Sequence, residues 1–398
     1  MLAVDQPHGG GASRARGGGG AFRRHAAEVA LEQLGCPALG FASGPSLSCF
    51  ALGRTTGLVL DLAADGTTAT AVVEGWAEDA GAVSGAFGGN ALDQHLAATL
   101  EGSGEGGEGG GGGGPLWPRA LRRQGMADGG ALPLPATLRW LRLAEARRLK
   151  HAMVLQPPPP PPPAPPTPTV ANAVGAQTNA AMTDDGDDAP LLSSSSSPPP
   201  PPRREFVLPD GSKVDLDGPL SARVCDLYFD PTPAVAAGLV PPLPPGDTGA
   251  GLLYGAGGEG SGGVFRAGAA GLPRLCGHAL AHFSDREMVA ALLRGVVLSG
   301  GGASLPSLAA KLQASLAASH TGLAKAAAAS SSGAASSAAA LHGGDASVQV
   351  LSLPASHVGL GAWVGGSIAA SLRGFQELAV TKAEYDEHGQ AAFDRKCP

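Results

Sequence analysis

At 398 residues the chain has the length of two ordinary domains, but Gly 62 and Pro 35 fill about a quarter of it, which excludes a packed core along much of its length. A formal net charge of −7 excludes a basic footprint for direct, sequence-specific nucleic-acid binding, and no run reaches the roughly 18 apolar residues of a membrane span. Aromatic residues are 4% and charged residues 15%, so whatever packs must rely on Leu, Val and Ala.

Taken in order, residues 1–20 read as a flexible, Gly-rich N-terminus, followed by a first core segment over 21–156. Ala21–Leu34 has helical spacing and is stopped by Gly35 and Pro37. Thr56–Val73 holds two β-branched runs about an Asp65-Gly66-Thr67-Thr68 turn, which predicts a hairpin. Behind Asp61, the same Gly/Thr turn can also cradle phosphate with bare backbone N–H groups. Ala91–Leu100 reads as a short helix, and Glu101–Gly114 as a disordered glycine-rich insertion. Leu138–Leu155 is a helix whose Arg139, Arg142, Arg147, Arg148 and Lys150 form either a solvated face or a contact for a nucleotide or an acidic partner.

Residues 157–204, with Pro157–Pro163 and Pro198–Pro202, form a Pro/Ser-rich linker of polyproline II and coil. A second core segment covers 205–398, interrupted by insertions at 241–263 and 318–345. In it, FVLPDGSKVDL reads as strand, turn, strand. Leu272–Leu293 reads as two helices, with Ser284 capping the second and Glu287 completing a capping box. RGVVLSGGG is a buried strand entering a glycine turn, and Leu305–Ala317 is the helix after it. Ser347–Leu353 alternates as a strand. Beyond it, Gly365–Gly366 stand ahead of a helix that Ser367 caps, with Ile368, Ser371, Leu372, Phe375 and Leu378 on one apolar face and a charged turn from Lys382 to Glu387. Read alone, that helix is buried. The cysteines Cys36, Cys49, Cys225, Cys276 and Cys397 are scattered without metal-ligand spacing, so reduced thiols and no metal site are expected.

VVLSGGGASLPSLAAKLQASL and AWVGGSIAASLRGFQELAVTKAEYDEHG resemble the adenine-side glycine turn and the final helices of the actin superfamily. Gly53–Gly75 resembles that family's second phosphate hairpin without a gap. The resemblance covers about 21–102, a patch at 138–155, and 205–398 less the insertions. Its EYDEHG turn and Arg395-Lys396-Cys397-Pro398 end look most like the nuclear branch of the family, the subunits of chromatin-remodelling and histone-acetyltransferase complexes. It implies an α/β fold of the actin/Hsp70-like ATPase type. Met1–Pro7 resembles a mid-domain segment, so the first phosphate hairpin and the outer small lobe are expected to be missing, through a truncated gene model or a true fragment.

The resemblance assigns the nucleotide side to Asp61, Asp65, Gly66, Thr67, Gly300, Gly301 and Gly302. Three departures erode it. Leu62, Ala63 and Ala64 follow Asp61; Gly44 and Thr68 stand where the family has its water-orienting glutamine and histidine; and Leu305 and Gly359 replace an aromatic and a lysine. Without a group to position water, in-line phosphoryl transfer loses its catalyst. No enzyme activity is therefore expected, and ATP with magnesium binds weakly or not at all.

The resemblance also implies a groove for a partner's amphipathic helix, walled by Phe50, Ala51, Gly53 and Thr55 on one side and by Ala369, Leu372, Gly374 and Leu378 on the other. Core packing of Leu372 and Leu378 is the plain alternative. The expected function is a non-catalytic nuclear subunit that holds a helix of a remodeller ATPase, pairs with nuclear actin and meets histones only indirectly. No membrane partner is expected. A cytoskeletal actin-like ATP-binding protein and a degenerate fragment are the alternatives.

Overall fold

The structure is a computed structural model that describes residues 2–5, 18–102, 135–154, 205–208, 213–216, 219–240, 265–267, 270–330 and 348–396. The linker 157–204, the insertion 241–263, residues 103–114 of the glycine-rich insertion and most of the Leu208–Gly211 turn lie outside them.

In chain order the strands are β1 (Leu2–Asp5), β2 (Ala38–Ser43), β3 (Gly57–Leu62), β4 (Thr67–Val73), β5 (Trp76–Ala77) and β6 (Val83–Gly85). They continue with β7 (Glu205–Val207), β8 (Lys213–Asp215), β9 (Phe265–Ala267), β10 (Val296–Ser299), β11 (Val350–Ser352) and β12 (Val380–Thr381). A seven-stranded mixed sheet has the order β11-β10-β3-β4-β6-β9, with β5 paired to β4. β11, β10 and β3 run parallel, β3 and β4 form the expected antiparallel hairpin, and β6 and β9 are again parallel. A smaller sheet of order β1-β2-β12 and the β7–β8 hairpin complete the strands.

Side-chain alternation in β3 explains how the large sheet divides its two faces. Leu58, Leu60 and Leu62 enter the main core, whereas Val59 joins Cys49, Val72 and Val297 in a separate cluster on the opposite face. Asp61 shares the face of Val59. That single alternation decides which β3 side chains meet the helices on each side.

The helices are α1 (Gly18–Ala27), α2 (Gly44–Ala51), α3 (Gly89–Gly102), α4 (Pro135–Val154), α5 (Pro219–Asp226), α6 (Thr232–Ala236) and α7 (Leu272–Leu280). Then come α8 (Arg286–Leu293), α9 (Leu308–Ser330), α10 (Gly361–Ser371), α11 (Phe375–Leu378), α12 (Lys382–His388) and α13 (Ala391–Lys396). The main core gathers Leu92 and Leu96 of α3, Leu149 and Met153 of α4, and Leu275, Leu292 and Leu312 beneath the sheet. A satellite core holds Leu31, Leu39, Phe41, Val380 and Phe393, with Phe41 edge-on to Phe393 at 5.2 Å. Cys49, Cys225 and Cys276 are free thiols, and burial pushes Cys49 up to about 12 and Cys225 up to about 11.

Four sequence expectations change. The helix over 21–34 is α1 continued by a π-turn over Glu28–Gln33. The cap of α8 is Asp285, whose Oδ1 accepts from the Glu287 N–H at 2.9 Å, so the carboxylate one residue on displaces Ser284 from that role. α9 starts at Leu308, after Ser307 at φ 67, and runs into the stretch read as an insertion, because its alanines have the highest helix propensity. Most consequentially, α10 starts at Gly361, so Gly365, Gly366 and Ser367 lie within the helix, and Ser367 is no cap.

Tertiary contact explains that last difference. A Cβ at Gly365 would overlap the Leu47 carbonyl of α2 and come within 3.1 Å of the Ala51 nitrogen. The glycine permits a backbone-to-backbone approach that outweighs its poor helix propensity. α10 then breaks at Leu372, where ψ is 146°, and the apolar face is not buried: Ile368 is 41%, Leu372 61% and Leu378 53% exposed. Beyond it, α12 carries a full capping box, with Thr381 Oγ1 accepting from the Glu384 N–H at 3.2 Å and Glu384 Oε2 accepting from the Thr381 N–H at 2.9 Å.

Candidate functional site

A cavity of about 710 Å³ opens where the end of β3, the N-terminal turn of α3, the C-terminal half of α4, Tyr228 and the glycine turn after β10 converge. That volume is in the range of small-molecule sites. Leu62, Ala63 and Ala64 form one wall, Gly301, Gly302 and Leu305 another, and Val358, Gly359 and Leu360 close it just ahead of α10. Gly300 takes φ 84, and a Cβ there would lie 2.5 Å from Asp61 Oδ1 and 2.6 Å from the Leu62 carbonyl oxygen. Only glycine lets this turn rest against β3.

The polar groups of the cavity pair with one another. Asp93, 1% exposed, places Oδ1 2.5 Å from Lys150 Nζ and accepts from Arg147 Nε at 3.1 Å through Oδ2. Lys150 Nζ also donates to the Gly89 carbonyl at 3.2 Å. Arg147 Nη2 donates to Asn90 Oδ1 at 3.3 Å, and Asn90 Nδ2 donates to Asp65 Oδ1 at 2.7 Å. The Tyr228 hydroxyl is buried without a hydrogen-bond partner among the described residues, and Asp93 Oδ1 meets Lys150 as an ion pair without hydrogen-bond geometry.

The hairpin turn is occupied by its neighbours. The N–H groups of Gly89 and Asn90, in the first turn of α3, donate to the carbonyls of Ala63 and Ala64 at 3.0 and 2.8 Å. Thr67 Oγ1 donates to the Phe87 carbonyl at 2.8 Å, and a Cβ on Gly66 would come within 2.6 Å of the Gly85 carbonyl oxygen. Asp65, Gly66 and Thr67 thus support the wall and do not line the cavity, whereas Gly301 and Gly302 do.

Asp61 and Gly300 line a smaller chamber of about 70 Å³ on the opposite face of β3, with Gly44, Ser48, Thr68 and Ser299. Ser48 Oγ donates to the Gly44 carbonyl at 3.0 Å and bonds Ser299 Oγ at 3.3 Å. Burial raises the Asp61 carboxyl above its ordinary value. The chamber is large enough to hold water beside Asp61. Among the described residues, no group of three His, Cys, Asp or Glu side chains is placed to hold a metal ion. Of the expected nucleotide side, Asp61 thus faces the small chamber, Gly301 and Gly302 line the larger cavity, and Gly300 sits between them.

Of the expected groove, Phe50, Ala51 and Ala369 lie on the two helices that Gly365 brings together, Gly53 and Thr55 follow α2, Leu372 and Gly374 follow α10, and Leu378 ends α11. Phe50 and Ala51 at the end of α2 and Ala369 on α10 are half-buried, while Gly53, Thr55, Leu372, Gly374 and Leu378 are exposed. Leu372 and Leu378 are outside the core, which removes the plain packing alternative for them.

Sequence reasoning missed Asp93, Asn90 and Tyr228. It did single out Arg147 and Lys150, and a lone carboxylate on the neighbouring short helix was the available signal. Nothing in Tyr228's surroundings in the chain marked it.

The family model Actin matches residues 20–105 and 171–398. The chain is 30% identical over 128 residues to Actin-related protein 4 of Oryza sativa subsp. indica, and equally to that of subsp. japonica, over 32% of this chain and 24% of the relative. It is 56% identical over 36 residues to Actin-related protein 4 of Arabidopsis thaliana, over 9% of this chain and 8% of the relative. The chain thus spans about a quarter or less of the length of these curated relatives.

Proposed function

The chain belongs to the actin family and has its mixed α/β ATPase fold, and on that premise we propose that it is a non-catalytic actin-related subunit that holds a partner's helix between α2 and α10–α11. The partner is an amphipathic helix from the ATPase subunit of a nuclear chromatin-remodelling or histone-acetyltransferase complex. Nuclear actin is the second partner, and histones are reached only through the complex. Similarity to Actin-related protein 4 supports this branch of the family.

One observation carries the reading: Ile368, Leu372 and Leu378 stand in water on and just beyond α10, the helix that Gly365 seals against α2 at Leu47 and Ala51. Apolar side chains at helical spacing next to a rigid wall are what helix-in-groove recognition uses. The same reading has no hydrolytic step. It is supported by Thr68 and Gly44, which stand beside Asp61 in the small chamber and offer neither a base nor a water-orienting amide.

A labelled helical peptide from a remodeller ATPase, titrated against the purified chain by fluorescence anisotropy, tests the groove. Leu372→Asp is expected to weaken binding by about a hundredfold, the effect of placing a charge in an apolar pocket. Binding unchanged by the substitution would sink the groove.

A further inference from the structure

The outward face of α10 carries apolar area that the groove does not use. Trp363, at 69%, is the most exposed large apolar side chain among the described residues, and Ile368 is 41% exposed. Half-buried Val364 and exposed Ser367 and Ser371 follow one another at three- and four-residue steps, so they form one stripe, with Trp363 and exposed Ala370 along its flank. The opposite side of the helix, at Gly365, is spent on α2.

Charge is missing from this stretch: from Ala346 to Leu372 the chain has no Asp, Glu, Lys or Arg. Covering the stripe therefore strands no ion. Ser371 Oγ donates to the Ile368 carbonyl at 2.6 Å, so it keeps its hydrogen bond when covered.

Bulk is uneven along the stripe. Trp363 and Val364 fill its N-terminal half, Ala370 and Ser371 thin its C-terminal half, and Ser367 stands between. A parallel copy would set Trp363 against Trp363. An antiparallel copy crossing at Ser367 sets the wide half of each helix against the narrow half of the other, as ridges enter grooves, and the two helix dipoles oppose. The two Ser367 hydroxyls then meet on the two-fold axis, where one donates and the other accepts.

We propose that this face of α10 docks a second copy of the chain, antiparallel about Ser367. The strip is about 16 Å long and falls short of the roughly 800 Å² per partner of a stable interface, so the pair is weak and depends on concentration. Ile368 lies both in this contact and at the groove, so a paired chain is closed to a partner's helix; that consequence alone rests on the proposed groove.

Sedimentation velocity of the full chain with reductant, over about a hundredfold range of concentration, tests the pairing. A shift from monomer to dimer is expected, and a chain that stays monomeric throughout overturns the proposal. Ser367→Glu sets like charges across the axis and should abolish the shift, with Tm of the dilute chain unchanged because the site is exposed and glutamate is a good helix former. Should that variant not fold, Trp363→Ala removes the bulk that fills the narrow half and should weaken dimerisation about tenfold. Dimerisation unchanged in both variants overturns the interface. The labelled remodeller peptide separates this contact from the groove: Leu372→Asp should lose the peptide and keep the dimer, and Ser367→Glu should lose the dimer and keep the peptide. Loss of the peptide in Ser367→Glu with the dimer intact would give the face to a partner's helix and overturn the proposal. A peptide that never binds the unmodified chain sinks the groove, and the sedimentation result still decides the dimer.

Discussion

In the cavity, charged groups meet partners where they stand: Asp93 holds Lys150 and Arg147, and the hairpin turn is braced by the first turn of α3. In the groove, at the other end of α10, the opposite holds, and Leu372 and Ile368 are left in water with nothing laid over them. The two regions are about 16 Å apart along an 11-residue helix, since Leu360 lines the cavity and Leu372 follows the last turn. The difference separates two kinds of incompleteness. A buried carboxylate that already has its cations needs no partner to compensate it. An exposed apolar strip gains roughly 25 cal/mol for each Å² that a partner removes from water. One region is already paired, and the other associates.

Three substitutions break or sharpen this contrast. Gly365→Val is expected to have the largest effect, because its side chain would overlap the Leu47 carbonyl and force α10 off α2. A loss of about 3 kcal/mol in urea unfolding is expected, from overpacking against backbone, together with loss of peptide binding. Should stability hold, the groove's rear wall is not the rigid element described here.

Asp61→Asn acts on the small chamber between the two regions. The folded protein holds this carboxyl above its ordinary value of 3.8, so the penalty of the charged form is present at neutral pH and absent below that value. The variant should therefore melt higher than the parent at pH 7 and match it near pH 3. Equal melting at pH 7 would mean that the buried carboxylate is satisfied.

The smallest effect is expected at Glu384, below the groove. A hydrogen bond from Lys396, then those from Thr381, hold its carboxyl down to about 2 from an ordinary 4.5. A depressed carboxyl contributes stability above its unfolded value, and that contribution fades as pH falls from 4.5 towards 2. Helicity of α12, followed by circular dichroism, should fall over that window in the parent and be pH-independent in Glu384→Gln. The side chain is half-exposed, so solvent screens it, and a slope no different from the variant's would reduce the box to local geometry.

The hairpin, the glycine turn and most helices were legible because period and turn chemistry are local. Leu58, Leu60 and Leu62 alternate whatever surrounds them, and Asp65-Gly66 turns the chain by itself. What escaped depends on distance. Gly365 reads as a helix breaker until Leu47 is known to lie against it, and the face from Ile368 to Leu378 announces that it is apolar without saying what covers it. Asp93 and Arg147 are 54 positions apart on helices joined by residues with no pattern linking the two. The cavity's electrostatics were therefore hidden, although each of its members was in plain view.

The closing contacts of this molecule also set a clock. Ser48 reaches Ser299 across 251 positions, Arg54 reaches Gln349 across 295, and Tyr385 reaches Glu32 across 353. α2 leaves the ribosome early and then waits, with β3, for β10 and α10 to be made. Contacts of such separation fold slowly, and through that interval β3 shows a bare edge and its apolar side chains to the cell. The glycine that seals α10 onto α2 is thus also among the last contacts to close as the chain is made.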